Sequence, residues 1–195
     1  MNSYREYLSR FYNFNDDEWS IFSSALLKKN IPKGEVLLKE NEVCNFLSFI
    51  ESGAFRTFFQ KGDTEKTFRF YFAGEYITNY RGFFHREPSR LGIQSITDSV
   101  VWEIDYENFI RIESQSVSPD FRVLRGLVLE LHYKVYLDRT IDLIKFSNEE
   151  NYLRLLERNP RLLQEVPQYM IASYLGVSPE TLSRIRKRIS SKNLS

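Results

Sequence analysis

Six polar or charged side chains near the C-terminus are spaced so that they would lie on the outer face of one short helix. The helix is predicted from about residue 179 to residue 190, and the six are Glu180, Thr181, Ser183, Arg184, Lys187 and Arg188. Guanidinium, ammonium, hydroxyl and carboxylate groups can hydrogen-bond to the phosphates and base edges of duplex DNA. A helical hairpin with a solvated charged face is the alternative interpretation. The pattern favours a DNA-binding surface.

A second predicted helix, over residues 168–175, must position this face. Gly176 suits the left-handed residue that ends a helix, Ser178 is a good N-cap, and Pro179 suits the first helical position. Apolar residues of both helices and of the turn are spaced for burial together, with a small residue at the crossing: Ile171, Ala172, Leu175, Val177, Leu182 and Ile185. The segment is therefore predicted to be a helix-turn-helix.

The charge distribution is asymmetric. From residue 158 onward there are seven basic and two acidic residues, a net charge of +5, whereas the whole chain has +1. An acidic body joined to a basic C-terminus is typical of a sensor domain attached to a nucleic-acid-binding domain.

Cys44 is the single cysteine, which excludes an intramolecular disulfide and any multi-cysteine zinc or iron–sulfur site. The sequence after Met1 has no apolar signal region, and no apolar run approaches membrane-spanning length. We therefore expect a cytoplasmic protein with no membrane partner.

The first 30 residues have a helical pattern, with Asn15 and Glu18 placed as a capping box. From Ile31 to about Ile104 the period changes to two. Six short segments rich in Val, Ile and Phe are separated by turn residues: 35–39, 46–51, 54–60, 65–72, 90–96 and 100–104. This spacing predicts an antiparallel sandwich or barrel.

Helical periodicity returns after Asp105, and a long helix is predicted over residues 118–146. Its first half has an apolar stripe at steps of three and four residues: Phe121, Leu124, Val128, Leu131 and Val135. We predict that this stripe is the seam of a homodimer, and packing along its own domain is the alternative. Ser147 and Glu150 form a capping box that starts a further helix, so residues 145–149 are a candidate hinge.

The layout resembles the cyclic-AMP receptor/fumarate–nitrate regulator (Crp/Fnr) superfamily of bacterial transcription factors over nearly the whole chain. The matching segments are Ile31-Pro32-Lys33-Gly34-Glu35, Glu51-Ser52-Gly53-Ala54-Phe55-Arg56, Phe72-Ala73-Gly74-Glu75, the long helix, and Glu180-x-x-Ser183-Arg184. The resemblance implies an α+β fold with a cyclic-nucleotide-binding-like jelly roll (β-barrel) sensor over 1–117, a dimerisation helix over 118–146 and a helix-turn-helix domain over 147–195. It also implies a homodimer that binds a palindromic operator in double-stranded DNA and contacts RNA polymerase.

In that family the positions of Glu180 and Arg184 contact base edges. The chemistry agrees, because Arg donates two hydrogen bonds to guanine and Glu accepts from cytosine, while Ser183 is small enough to admit a thymine methyl group. Four neighbouring residues are expected to contact the DNA backbone: Thr181, Arg186, Lys187 and Arg188. An acid near a helix N-terminus also stabilises the helix dipole, so Glu180 has a second explanation.

The expected effector pocket of the sensor contains Gly74, Glu75, Ser89 and Arg90. Cyclic-nucleotide-binding relatives have a Gly-Glu pair followed by Arg-Ser or Arg-Thr, which holds the cyclic phosphate. Here the second pair reads Ser89-Arg90, in reversed order, and on a strand the reversal would turn the guanidinium to the opposite face. We therefore expect that an effector, if the protein has one, is a molecule other than cyclic AMP. Arg81, Arg86 and Arg90 either line a pocket for another anion or are solvated loop charges.

Two other classes of function remain as alternatives. A cupin-like metal-dependent enzyme would need two or three His and a carboxylate at one metal, and the chain has only His85 and His132. Haem binding would need one of these or Cys44 as a ligand, so no cofactor and no metal are expected. The other alternative is a constitutive DNA-binding protein whose barrel is only a scaffold.

Overall fold

A computed structural model describes residues 2–9, 14–115 and 121–192. The helices are α1 (Asn2–Ser9), α2 (Asp16–Ser24), α3 (Tyr80–His85), α4 (Tyr106–Gln115), α5 (Phe121–Lys145), α6 (Asn148–Arg158), α7 (Leu162–Glu165), α8 (Gln168–Leu175) and α9 (Pro179–Lys192). The strands are β1 (Leu27–Ile31), β2 (Val36–Leu38), β3 (Phe46–Ser52), β4 (Ala54–Lys61), β5 (Thr64–Phe72), β6 (Tyr76–Ile77), β7 (Gly92–Ser95) and β8 (Ser99–Asp105).

The strands form two separate four-stranded antiparallel sheets, which we call the sandwich. One sheet has the order β1-β8-β3-β6 and the other β2-β7-β4-β5. The expectation of a closed barrel is wrong for the described residues, because no strand pairs across from one sheet to the other. Three of the four edge strands are short, and β2 and β6 have only three and two residues. They offer too few backbone groups to close the sheets on each other.

Apolar residues pack in three layers around the two sheets. Ile50, Phe55, Tyr71 and Ile93 are fully buried in the layer between the sheets. A second layer, which includes Phe22 and Phe109, covers one sheet with helices α1 to α4. The third layer joins the outer face of the other sheet to helices α6 to α9. Alternation along β5 explains how one strand serves two layers, because successive side chains point to opposite faces.

Capping residues fix where the helices begin. Asn15 and Glu18 form the predicted capping box of α2, and Ser147 and Glu150 form that of α6. The α5 helix ends at Lys145 and α6 begins at Asn148, so the break between the two helices falls within the candidate hinge. The N-cap and first turn predicted at 118–120 lie outside the described residues. The hydrogen bonds of both boxes satisfy N–H groups that a helix start leaves unpaired.

Helices α6 to α9, which we call the C-terminal unit, dock on β5 through α8. The Ser173 hydroxyl accepts a hydrogen bond from the Thr67 backbone N–H at 2.9 Å. On the same side the rings of Phe70 and Tyr174 lie 5.2 Å apart between centroids. Because α8 makes this contact, the outer face of α9 is left uncovered.

Candidate nucleic-acid interface and effector site

The turn between α8 and α9 has the geometry that its sequence predicts. Gly176 has φ of +71°, and its N–H donates to the carbonyl groups of Ala172 and Ser173. The Ser178 hydroxyl accepts the Thr181 N–H at 3.2 Å, which caps the start of α9. A left-handed residue followed by an N-cap lets one helix end and the next begin with only three residues between them.

Two buried side chains hold α9 against α8. Leu182 is 1% exposed and Ile185 is 2% exposed, and both pack in the layer that contains Ile171 and Leu175. Fixing these two positions fixes the rotation of the whole helix, since residues three and four apart share a face. The opposite face therefore points to solvent in a defined orientation.

The exposed face of α9 carries the three residues predicted to contact bases. Glu180, Ser183 and Arg184 are all exposed, and one Arg184 Nη atom donates to the Thr181 hydroxyl at 3.3 Å. The pKa of the Glu180 carboxyl is lowered by the Ser178 hydroxyl, by its own backbone N–H and by the charge of Arg184. Glu180 is therefore an ionised hydrogen-bond acceptor in the electrostatic field of the Arg184 guanidinium.

The residues predicted to contact the DNA backbone differ in their surroundings. Lys187 is exposed and Thr181 is half-buried. Arg186 is half-buried and donates a hydrogen bond to the Tyr152 hydroxyl. Burial raises the pKa of Tyr152, and the contact with Arg186 partly offsets this rise. Arg188 forms an ion pair with Glu149, with Nε and Oε2 3.1 Å apart. The last two arginines thus connect α9 to α6.

The structure does not gather the four predicted effector residues around one site. Gly74 lies in a turn with φ of +89°, and Glu75 closes that turn by accepting the Phe72 N–H at 2.7 Å. Ser89 is buried, and its hydroxyl donates to the Leu91 carbonyl at 2.7 Å. Arg90 is exposed and lines a cleft of about 530 Å³ beside α5. Glu75 instead lines a cavity of about 200 Å³ between the sandwich, α5 and the C-terminal unit.

Two charged groups that line this 200 Å³ cavity were not identified from the sequence. Arg69 is buried, and one Nη atom donates to Glu75 Oε1 at 2.9 Å while the guanidinium lies over the Tyr71 ring at 4.1 Å. Asp142 is also buried and accepts hydrogen bonds from Arg154 at 3.1 Å and from Arg158 at 2.5 Å. A single charge within the apolar run of β5 was the available signal for Arg69.

The other groups considered from sequence have ordinary structural surroundings. Cys44 is buried, its thiol donates to the Phe46 carbonyl at 3.3 Å, and burial raises the pKa of the thiol. Such a cysteine is unreactive near neutral pH. In the described part of the chain no three His, Cys, Asp or Glu side chains are placed to hold a metal ion.

The long helix α5 exposes an apolar stripe from Leu129 to Ile144. Its members are spaced three or four residues apart: Leu129, Tyr133, Leu137, Ile141 and Ile144. Of the stripe predicted from sequence, only Val135 has a described side chain, and it lines the 200 Å³ cavity of its own chain. The side chains of Phe121, Leu124, Val128 and Leu131 lie outside the described residues, so their role in a dimer stays a prediction. None of the helices described in the chain is long and apolar enough to cross a membrane.

Comparison with known proteins defines the class of fold. The family model of the cyclic nucleotide-binding domain matches residues 28–116. Among solved structures, the c-di-GMP-responsive global regulator Clp of Xanthomonas campestris is similar, with 18% identity, a TM-score of 0.71 and coverage of 92% of this chain and 94% of that chain. A search of curated protein sequences found no match.

Two further solved structures share this fold. FixK2 of Bradyrhizobium japonicum has a TM-score of 0.70 at 20% identity, with 86% of each chain covered. A putative Crp/Fnr-family transcriptional regulator of Eubacterium rectale also has a TM-score of 0.70, at 16% identity, with 96% of this chain and 88% of that chain covered. Residues 28–116 therefore resemble a cyclic nucleotide-binding domain, and over nearly its whole length the chain shares its fold with these solved regulator structures.

Proposed function

We propose that the protein is a homodimeric transcription regulator that binds a palindromic operator in double-stranded DNA through α9. The observation that carries the proposal is the rotation of α9, in which buried Leu182 and Ile185 turn Glu180, Ser183 and Arg184 to solvent together. The fold of the similar regulators and the basic C-terminal charge support it.

We assign base readout to these three exposed residues and backbone contact to Thr181 and Lys187. Arg186 and Arg188 remain proposed phosphate contacts, with an added function in holding α9 on α6. A guanidinium keeps donors available after forming one ion pair, because it has five N–H groups. These two residues can therefore orient the helix and contact phosphate in the same complex.

We propose that dimerisation uses the exposed stripe of α5. Tyr133 is 62% exposed and Ile144 is 83% exposed, which leaves a continuous apolar surface on a helix. Pairing two α5 helices would bury this surface and relate the two C-terminal units by a two-fold axis. A dimer of this kind presents two recognition helices to half-sites one duplex turn apart, roughly 34 Å.

The experiment that tests the proposal is a selection of genomic DNA fragments with the purified full chain, followed by anisotropy measurements on the enriched sequence and on a scrambled one. We expect a palindrome to be enriched and to bind far more tightly than the scrambled duplex at near-physiological salt. Equal affinity for both duplexes would contradict sequence-specific binding. The proposal also includes a small-molecule effector and contact with RNA polymerase. In the alternative, a constitutive DNA-binding protein, the affinity for DNA would not depend on any ligand.

A further inference from the structure

A cleft of about 530 Å³ lies between α5 and the sandwich. Its volume is within the range of about 300–1,000 Å³ that is usual for small-molecule sites. Three aromatic and three arginine side chains contribute to its lining: Phe68, Tyr80, Tyr136, Arg81, Arg90 and Arg139. The rings of Phe68 and Tyr136 lie 5.7 Å apart between centroids, so a strand and the long helix meet at this wall.

The lining has an excess of positive charge. Glu87 is its one acidic residue, and the Glu87 carboxylate is already paired with Arg81. Arg90 has no ion pair with any residue in the described ranges, and Arg139 donates to a backbone carbonyl and not to a carboxylate. Neither guanidinium is paired with a carboxylate within the described ranges, and Arg139 keeps N–H donors beyond the one that it gives to the carbonyl. Aromatic side chains line the same cleft.

We infer that this cleft binds a small organic anion with a planar apolar body, such as an aromatic carboxylate. Arg90 and Arg139 bind the anionic group, and the aromatic rings contact the planar part. The lining contributes only two side-chain carbonyl or carboxylate acceptors for the hydroxyl groups of a sugar, and each already has one hydrogen-bond partner. Glu87 is held by Arg81, and Asn79 Oδ1 accepts the Gly82 N–H at 2.7 Å. The inference rests on the proposed function and names the chemical class of its effector.

Arg139 connects the cleft to the C-terminal unit. Its guanidinium carbon lies 3.5 Å from the centroid of the Tyr174 ring, and one Nη atom donates to the Tyr174 carbonyl at 2.8 Å. Tyr174 is in α8, the helix that packs directly beneath α9. An anion in the cleft competes for the same guanidinium, so its binding changes the contact that holds α8 against α5. By linkage, ligand and DNA must then alter each other's affinity.

The first test is isothermal titration calorimetry of the full chain with 2-naphthoate. Its uncharged analogue 2-naphthamide is the ligand control. We expect saturable binding of the carboxylate and much weaker binding of the amide.

Arg90→Gln should weaken naphthoate binding about tenfold, since it removes a charge-assisted interaction. Arg111→Gln is the matched control, because Arg111 is an exposed arginine on α4 that does not line the cleft, and it should bind as the parent does. Absence of naphthoate binding, equal binding of the amide, or no effect of Arg90→Gln would overturn the inference.

The second test measures operator affinity with and without saturating naphthoate. We expect a severalfold change in the parent chain and in Arg111→Gln. Naphthoate that binds but leaves operator affinity unchanged would overturn the coupling through Arg139. A protein that binds its operator but not naphthoate would refute the ligand class and leave the proposed function intact. A folded dimer that binds naphthoate but no DNA would refute the proposed function instead.

Discussion

The buried carboxylate of Asp142 should control how firmly α6 is held to the end of α5. Asp142 accepts hydrogen bonds from Arg154 and Arg158, which lie on the other side of the Ser147 hinge. The arginine side chains are 37% and 45% exposed, so solvent screens each pair and about 0.5–1 kcal/mol per pair is a suitable figure. Asp142→Asn should therefore destabilise the junction by about 1–2 kcal/mol.

Hydrogen–deuterium exchange measures this local change directly. A loss of about 1–2 kcal/mol corresponds to roughly 5- to 30-fold faster exchange of the amides of α6, if these amides exchange through local opening. The strands of the sandwich should exchange as before. Asp138→Asn is the matched control, because Asp138 is one turn earlier on α5 and is exposed. Equal exchange in α6 for the parent and Asp142→Asn, or the same acceleration in Asp138→Asn, would refute the conclusion that Asp142 holds α6 to the end of α5.

Three further predictions concern the proposed DNA-binding dimer. Arg184→Ala should lower the binding free energy for the selected operator by about 1–3 kcal/mol and relax specificity, whereas Lys187→Ala should weaken binding to all duplexes equally. Fluorescence anisotropy measures both affinities. Equal losses of affinity for Arg184→Ala on specific and scrambled DNA would contradict the proposed base contact. Ile141→Glu places a charge in the exposed stripe of α5 and should convert the dimer to a monomer in sedimentation experiments. Thr140→Glu is the control at the neighbouring position. A dimer that persists in Ile141→Glu would exclude this stripe as the dimer interface. Gly176→Ala should lower the free energy of unfolding by about 1 kcal/mol. Backbone strain alone causes the loss, because a Cβ at this position meets no atom within 4 Å. Gly176→Asn should cost less, and equal melting temperatures for the parent and both variants would contradict the left-handed turn.

Local signals in the sequence predicted where α2, α6 and α9 begin. The capping boxes at Asn15 and Ser147 and the glycine turn at Gly176 depend on hydrogen bonds within a few residues, so their residue types are sufficient evidence. The main strands were predicted within about two residues for the same reason, since apolar alternation is a local pattern.

The elements that were missed depend on contacts between distant parts of the chain. The strand β1 has one buried residue in five, so it lacks the apolar alternation of a half-buried strand and is recognised only by its pairing with β8. The expected barrel failed for a related reason, because closure depends on which edge strands are long enough to pair. Neither property can be read from a local pattern.

The candidate effector site was predicted only in part. Arg90 was identified and lines a cleft, whereas Glu75 lines a different cavity, closes a turn and pairs with Arg69. Ligand binding by Glu75 stays a prediction. A carboxylate three residues after a backbone N–H can cap it in any protein, and sequence alone does not distinguish that use from ligand binding. Arg139 was not considered because its importance comes from Tyr174, which lies 35 residues away.

The most direct test of the account is the affinity of the full chain for its selected palindrome relative to a scrambled duplex, measured without added nucleotide at near-physiological salt. We expect the protein to bind as a dimer, with specific binding at least a thousandfold tighter, the lower end of the usual range. We also expect Arg184→Ala to remove much of this preference. A folded dimer that binds both duplexes equally, or whose preference survives Arg184→Ala unchanged, would contradict the assignment of α9 as the recognition helix.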